Sequence, residues 1–366
     1  MPTGSRYNRR MTDARPRVFV TRALPGTEPI ARLRAVADVD VWGEPRPPTR
    51  AEMLKRAAGA DALLTMLTEQ VDAALLDACP SVRWVSNMAV GYDNIDVAAA
   101  TARGIPVTNT PDVLTETTAD MAFALLLAAA RRLPDGEAAV RDGGWGPWSP
   151  GWLLGHEVHG ATLGIVGGGR IGSAVARRAV GFGMRVLYHS RHDAAGFPGE
   201  RVALDVLLAQ SQFISVHVPL TPETTRMFDA AAFARMRPDA VFVNTARGGV
   251  VDQSALLQAL RVGTIAAAAL DVTTPEPLPA DDPLLTAPHL IVTPHLGSAT
   301  ERTRIAMAAL AVDHVLAMLS GARPRHLINP DAWSDSDVPV TSMESIGAET
   351  RADAAAGDDL AARRRR

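Results

Sequence analysis

Short apolar runs alternate with amphipathic stretches along almost the whole chain. Arg17–Thr21, Ala62–Thr65 and Val82–Ser86 read as short strands, and residues 27–37, 49–59 and 70–78 carry helical spacing between them. Residues 162–166 (Thr-Leu-Gly-Ile-Val) and Arg185–Ser190 read as two further strands. They flank a helix over 170–182 whose apolar face is Ile171, Ala174, Val175 and Ala179. Longer helices are predicted over 115–132 and 300–319. Strand, helix, strand in repetition implies parallel sheets joined by crossover helices.

The length of 366 residues exceeds one ordinary core and implies two lobes. The helix over 115–132 leads into the second lobe and the helix over 300–319 leads back to the first. The expected division is an arm at 1–15 and a first lobe of 16–113 plus 299–330. A second lobe follows at 114–298, and a tail at 331–366. Arm and tail show no useful hydrophobic period and are expected to be disordered. The tail ends in Arg363–Arg366, best read as a solvated run, since four charges hold nucleic acid or acidic lipid only weakly.

Composition narrows the function. Hydrophobic content of 47% and charged content of 21% are ordinary for a globular protein. A net charge of −3 gives no general attraction to nucleic acid or anionic membranes. The longest apolar run, Met121–Ala130, is too short to span a bilayer and reads as a buried helix. The first thirty residues lack the apolar core of a signal peptide. Cys79 is the only cysteine, so no internal disulfide exists, in keeping with a reducing compartment such as the cytoplasm.

The chemistry sits in two stretches. In the first, Gly164-Ile-Val-Gly-Gly-Gly-Arg-Ile-Gly172, glycines at 167, 169 and 172 fall between a predicted strand and a predicted helix. In that setting each glycine has its own role. Gly167 makes a tight turn, Gly169 allows close approach of a pyrophosphate, and Gly172 lets helix pack on strand. Arg170 and Ile171 open the helix, whose N–H groups and dipole would face the phosphates. The second lobe is therefore expected to be a dinucleotide-binding Rossmann domain.

An Asp or Glu usually follows the next strand and accepts from the ribose hydroxyls of NAD. Here Ser190 and Arg191 stand in its place, and the first carboxylate, Asp193, comes late. Arg191 can pair with a 2′-phosphate and Ser190 can donate a hydrogen bond, which favours NADP(H) over NAD(H). The plainer reading of Arg191 is a solvated loop residue.

The second stretch runs through Asn244-Thr-Ala-Arg-Gly-Gly249, Asp271-Val-Thr-Thr-Pro-Glu-Pro277 and Thr293-Pro-His-Leu-Gly297. Arg247 offers a planar fork suited to a carboxylate, and His295 can deliver a proton near neutral pH. Glu276, if it contacts the imidazole, would favour its protonated form and fix the ring. Such a set suits hydride transfer to a small 2-oxo acid. Weighed singly, these residues say less: the chain has nine histidines, and Lys55 is its only lysine, so arginine is abundant. Asp271 ends the apolar run Ile265–Leu270, where a buried carboxylate needs a partner.

Taken with Val90-Gly-Tyr-Asp-Asn-Ile-Asp96, Thr110-Pro-Asp-Val-Leu-Thr115 and Gly143-Gly-Trp145, over about residues 16–328, the chain resembles the D-isomer-specific 2-hydroxyacid dehydrogenases. It is most similar to their glyoxylate/hydroxypyruvate reductase branch. The resemblance implies an α/β protein of two doubly wound parallel-sheet lobes, the Rossmann cofactor domain and a smaller, discontinuous, flavodoxin-like substrate domain. It implies that Arg247, Glu276 and His295 are catalytic, and that Arg247 and His295 also touch substrate. Val90 and Gly91 would hold the substrate carboxylate through backbone N–H groups, Leu64–Thr68 would close over it, and Asp271 would contact the nicotinamide carboxamide. It also implies a homodimer in which Trp148 reaches toward the partner's active site. The alternative for Trp145, Trp148 and Trp152 is that they are interface or core anchors.

No metal site, nucleic acid or membrane partner is expected. Glyoxylate, hydroxypyruvate and 2-ketogluconate are not distinguished. Two other activities stay open: another dehydrogenase of the family, of phosphoglycerate or D-lactate type, and a dinucleotide-sensing, corepressor-like binding protein. The missing acid after Arg185–Ser190 weighs against the former. Glu276 itself weighs against the formate dehydrogenases, which typically carry Gln there.

Overall fold

The computed structural model describes residues 15–334. Five strands form the first sheet: β1 (Arg17–Val20), β2 (Asp38–Val41), β3 (Ala62–Thr65), β4 (Trp84–Asn87) and β5 (Val107–Thr108). Their order is β2-β1-β3-β4-β5 and every pairing is parallel, the flavodoxin-like arrangement. Seven form the second: β6 (Thr162–Val166), β7 (Arg185–His189), β8 (Glu200–Arg201), β9 (Phe213–Val216), β10 (Val241–Asn244), β11 (Ala267–Leu270) and β12 (Leu290–Val292). Their order, β12-β11-β10-β9-β6-β7-β8, is again parallel throughout. It is the doubly wound Rossmann order with one strand added at the β12 edge.

The central strands β3, β4, β9, β10 and β11 are buried throughout because helices cover both faces of each sheet. In β10 and β11, Val241, Val243, Ala267 and Ala269 join one core cluster, while Phe242, Ala268 and Leu270 join the other. The first sheet divides in the same way, with Phe19 and Leu63 on one face and Val18, Val20, Ala62 and Leu64 on the opposite one. Period-two alternation therefore persists beneath a continuous apolar run.

Helix Thr115–Ala130 packs on β10, β11 and helix Arg170–Gly181. The apolar run within it is buried through Ala122, Phe123, Leu125, Leu126, Ala129 and Ala130. Helix Glu301–Leu319 returns to β3, β4 and helix Glu28–Val36, placing Met307, Ala308, Ala311, Val312 and Val315 in the first lobe's core. No helix among the described residues is long and apolar enough to cross a membrane.

Several expectations shift. The third predicted helix starts at Ala73 rather than 70, because Asp72 caps it by accepting from the Leu75 N–H, and Val71 instead bridges to Ile95. Strand β4 lies one to two residues later than expected. Ile171 turns from its own sheet and packs on the first lobe's cluster, so the glycine-turn helix touches both lobes. At the C-terminal boundary the folded chain passes the expected limit of 330. Pro330–Ala332 form a 3-10 turn, Ala332 is buried, and Trp333 packs beside Val18 and Val20's cluster. Arg15, assigned to the arm, donates to the Ala37 carbonyl at 3.3 Å. The remaining arm and tail expectations, including Arg363–Arg366, lie outside the described residues.

Candidate active site

The carboxyl ends of both sheets face a shared cavity of ≈ 500 Å³, bordered by Val90 and Gly91 from one lobe and by Gly169, Arg247, Asp271 and His295 from the other. Such a position outside the strand ends is where open α/β sheets bind ligands.

At its cofactor end, Gly167 has φ +115°, and a Cβ there would lie 2.5 Å from the His217 carbonyl oxygen. A Cβ on Gly172 would lie 2.1 Å from the Gly167 carbonyl oxygen. Both are packing glycines. Gly169 is different: it precedes helix Arg170–Gly181 without a side-chain cap, and a Cβ there would meet nothing within 4 Å. Open space in front of the first-turn N–H groups fits a diphosphate. Arg170 borders this space and forms an ion pair with Asp112, Nε to Oδ1 at 2.7 Å.

The adenosine end follows β7. Ser190 lies against Gly168, whose Cβ would sit 3.1 Å from Ser190 Cβ, and Arg191 borders the cavity. Arg201 steadies the turn by donating to the carbonyls of Ser190 and Arg191, each at 3.0 Å. Asp193 accepts from the Tyr188 hydroxyl at 2.6 Å, so the one nearby carboxylate in this turn is already engaged.

The reacting end is assembled from distant segments. Asn244, fully buried, accepts from the Ala246 N–H and donates to the Arg247 carbonyl, shaping the turn that presents Arg247. Gly248 lies so close to Thr273 that a Cβ would sit 2.1 Å from its carbonyl oxygen, which brings the Arg247 turn onto the Glu276 segment. Glu276 Oε1 accepts from the Thr273 N–H at 2.9 Å, and Oε2 faces His295 Nδ1 at 2.8 Å. Burial opposes ionisation of Glu276, but the His295 hydrogen bond and charge, the Thr273 N–H and the Arg247 charge together hold its carboxyl below the usual range. His295 itself has φ +55°, a strained backbone for a non-glycine residue. Asp271, almost wholly buried, maintains it: its carboxylate accepts from Thr293 Oγ1 and from the N–H groups of Leu296 and Gly297, while its carbonyl accepts from the His295 N–H.

Arg247 reaches across the cleft. Its Nε donates to Asp93 Oδ1 at 2.8 Å, and its guanidinium lies over Gly91, where a Cβ would be 1.7 Å from Nη2. Asn109 donates to the Val90 carbonyl at 2.7 Å and Asn87 to the Gly91 carbonyl at 3.0 Å. With both carbonyls held, the peptide edges of Val90 and Gly91 border the cavity in a fixed orientation. Of the Leu64–Thr68 run, Leu64 and Thr65 are buried in β3, while Leu67 beyond it borders the cavity, in a turn pinned by Glu69, which accepts from the Met66 N–H at 2.7 Å and Thr68 Oγ1 at 2.6 Å.

The arrangement thus brings Arg247, Glu276, His295, Asp271, Val90, Gly91 and the glycine turn to one cavity. Glu276 stands behind His295 rather than on the wall. Trp145, Trp148 and Trp152 lie apart, exposed at 68%, 85% and 42%. The roles of Asp93, Asn87 and Asn109 were not legible in the sequence. Asp93 lies within the Val90–Asp96 motif, but nothing local ties it to an arginine 154 positions away.

Comparison with known proteins places this geometry. Residues 123–297 match the model of the D-isomer specific 2-hydroxyacid dehydrogenase NAD-binding domain. A glyoxylate reductase of Korarchaeum cryptofilum is 49% identical over 322 residues, covering 87% of this chain and 97% of that protein. The chain belongs to the D-isomer-specific 2-hydroxyacid dehydrogenase family. Among solved structures, a protein of Thermus thermophilus superposes with a TM-score of 0.81 at 46% identity, covering 85% of this chain and 99% of that one. An NADPH-dependent glyoxylate/hydroxypyruvate reductase of Sinorhizobium meliloti, in complex with NADP and malonate, superposes with a TM-score of 0.77 at 34% identity. That match covers 90% of this chain and 100% of the other.

Proposed function

We propose that the protein reduces a small 2-oxo acid, glyoxylate or hydroxypyruvate, to the D-2-hydroxy acid with NADP(H) in preference to NAD(H). The observation that carries this reading is the His295–Glu276 contact at 2.8 Å, in a cavity that Arg247 and the glycine turn also border. The similarity to glyoxylate reductases supports the substrate class.

The glycine turn and helix N-terminus hold the dinucleotide, which supplies the hydride when bound. Arg247 binds the substrate carboxylate and polarises the adjacent carbonyl, assisted by the N–H groups of Val90 and Gly91. His295 delivers a proton to the carbonyl oxygen, leaving a neutral imidazole with Glu276 steadying the ring; in the oxidative direction it takes that proton back. Asp271 keeps the His295 turn in place and retains acceptor capacity for the carboxamide. At the ribose end, Arg191 and Ser190 meet the 2′-phosphate, and the Asp193 carboxylate of the same turn is engaged by the Tyr188 hydroxyl. We assign residues 16–113 with 299–334 to the substrate lobe and 114–298 to the cofactor lobe.

A cytoplasmic homodimer completes the proposal. Leu133, Val140, Trp145, Trp148 and Leu154 are all more than half exposed, which supports burial of the 133–154 segment against a second copy, with Trp148 directed toward the partner's cleft. Steady-state assays with NADPH and NADH against glyoxylate, hydroxypyruvate and 2-ketogluconate test the reading. It expects turnover with NADPH ahead. A lead for NADH would keep the chemistry and reject the cofactor assignment, and turnover of 2-ketogluconate alone would reject the substrate.

A further inference from the structure

Toward the reacting end of the cleft the cations are paired with carboxylates, with a single exception. Arg247 pairs with Asp93 at 2.8 Å, His295 faces Glu276 at 2.8 Å, and Arg170 pairs with Asp112 at 2.7 Å. Arg304, in the first turn of helix Glu301–Leu319, borders the same cavity and is half-buried, yet its side chain makes no hydrogen bond or ion pair among the described residues. No other buried or half-buried arginine of the described residues is left in that condition. Burial lowers the pKa of Arg304, and the field of Asp271 offsets only part of that effect. Asp271 does not close on it as an ion pair; its oxygens already accept from Thr293, Leu296 and Gly297.

A desolvated guanidinium without a partner is costly to keep. Within the fold it has no evident structural purpose. Its position makes sense if the partner arrives with a ligand. The paired sets, Arg247 with Asp93 and His295 with Glu276, sum to roughly zero charge when the imidazole is protonated. Asp271, the remaining carboxylate of this end, spends its oxygens on Thr293, Leu296 and Gly297, so Arg304 is the cation left with free donors for an anionic substrate.

We propose that Arg304 is a second cation of the substrate site, donating to the bound 2-oxo acid from the lobe opposite Arg247. The proposal rests on the reading that a 2-oxo acid occupies this cleft. Arg247 comes from the turn after β10 and Arg304 from the helix packed on β3 and β4, so a ligand touching both ties the two lobes together. The class selected is a small 2-oxo carboxylate; a neutral 2-oxo aldehyde gains nothing from Arg304.

The test compares the wild type with R304Q and R304K. KM for glyoxylate and hydroxypyruvate should rise about tenfold to a hundredfold in R304Q, the worth of one charge-assisted hydrogen bond, while kcat changes less. R304K should recover part of the loss. Turnover of methylglyoxal, and the Kd of NADPH from its fluorescence, should stay near wild type. R304Q should melt no lower than wild type, because it removes an unpaired charge rather than a structural contact.

Unchanged KM for both acids in R304Q would overturn the proposal. So would weakened NADPH binding at unchanged KM, which would assign Arg304 to the nicotinamide carboxamide. A lower melting temperature with uniform loss would mark it as structural. Should the wild type turn over neither acid, the reading of the cleft fails by itself. Oxamate titration of the NADPH complex then isolates Arg304: weaker binding in R304Q supports the cation site, and equal binding rejects it.

Discussion

The reacting end and the ribose end of the cleft handle charge in opposite ways. At the reacting end, Arg247 and His295 are each fixed by a carboxylate at 2.8 Å, and those carboxylates have further partners or neighbours in turn. At the ribose end, Arg191 is exposed and its side chain has no hydrogen-bond or ion-pair partner among the described residues; it acts on Glu223 only through its field. The contrast follows from what each end must do. Proton delivery needs donors held in place before the substrate arrives. Selection of a 2′-phosphate needs only an available cation and no opposing acid. The effects of substitution should therefore be steep at one end and shallow at the other.

The sharpest break is at His295. H295N should lower kcat with glyoxylate by about 10²–10⁴-fold, the usual worth of a positioned general acid, with NADPH affinity retained. E276Q should lose less. The substitution removes the carboxylate that faces Nδ1 at 2.8 Å, so its loss should fall in kcat with NADPH affinity retained. Unchanged kcat in E276Q would show that Glu276 only shapes the turn. D93N frees the Arg247 fork from its cross-cleft anchor and should cost about tenfold in kcat/KM. At the ribose end, R191A should lower the NADPH-over-NADH preference by roughly fivefold to tenfold and leave turnover with NADH untouched.

A smaller effect separates folding from chemistry. Burial, then the charge of His326, pushes the His314 pKa down to about 4 from 6.5. Between those values the unfolded chain binds the proton and the folded chain does not. Stability is whole above about pH 6.5 and falls as pH drops toward 4. Thermal unfolding followed against pH should show that decline, and H314Q should lessen it, with the remainder coming from His217, pushed down to about 3 by burial.

The two ends also differ in how well the sequence reveals them. The glycine turn and its flanking strand and helix are contiguous, so residues 162–182 announce both geometry and ligand. Arg247, Glu276 and His295 are recognisable because each stands in a distinctive local setting. What fixes them is not. The Asp93–Arg247 pair and the Asn109 and Asn87 bonds to the Val90 and Gly91 carbonyls depend on how separate segments meet in three dimensions. Arg304 looks like any helix arginine until the absence of a partner is seen. Strands β5 and β8 have two residues each, too short for a hydrophobic period. Trp333 is apolar but isolated in a polar tail, so only packing shows that the fold includes it.

The central claim is that the reacting end performs proton-coupled hydride transfer to a 2-oxo acid. The most direct test follows consumption of NADPH with glyoxylate and hydroxypyruvate for the wild type and H295N, with NADPH binding measured on both. The account predicts steady turnover by the wild type, near-complete loss in H295N and equal NADPH affinity. Tight NADPH binding by a wild type that reduces neither acid would contradict it, and would describe a dinucleotide sensor built on the same fold.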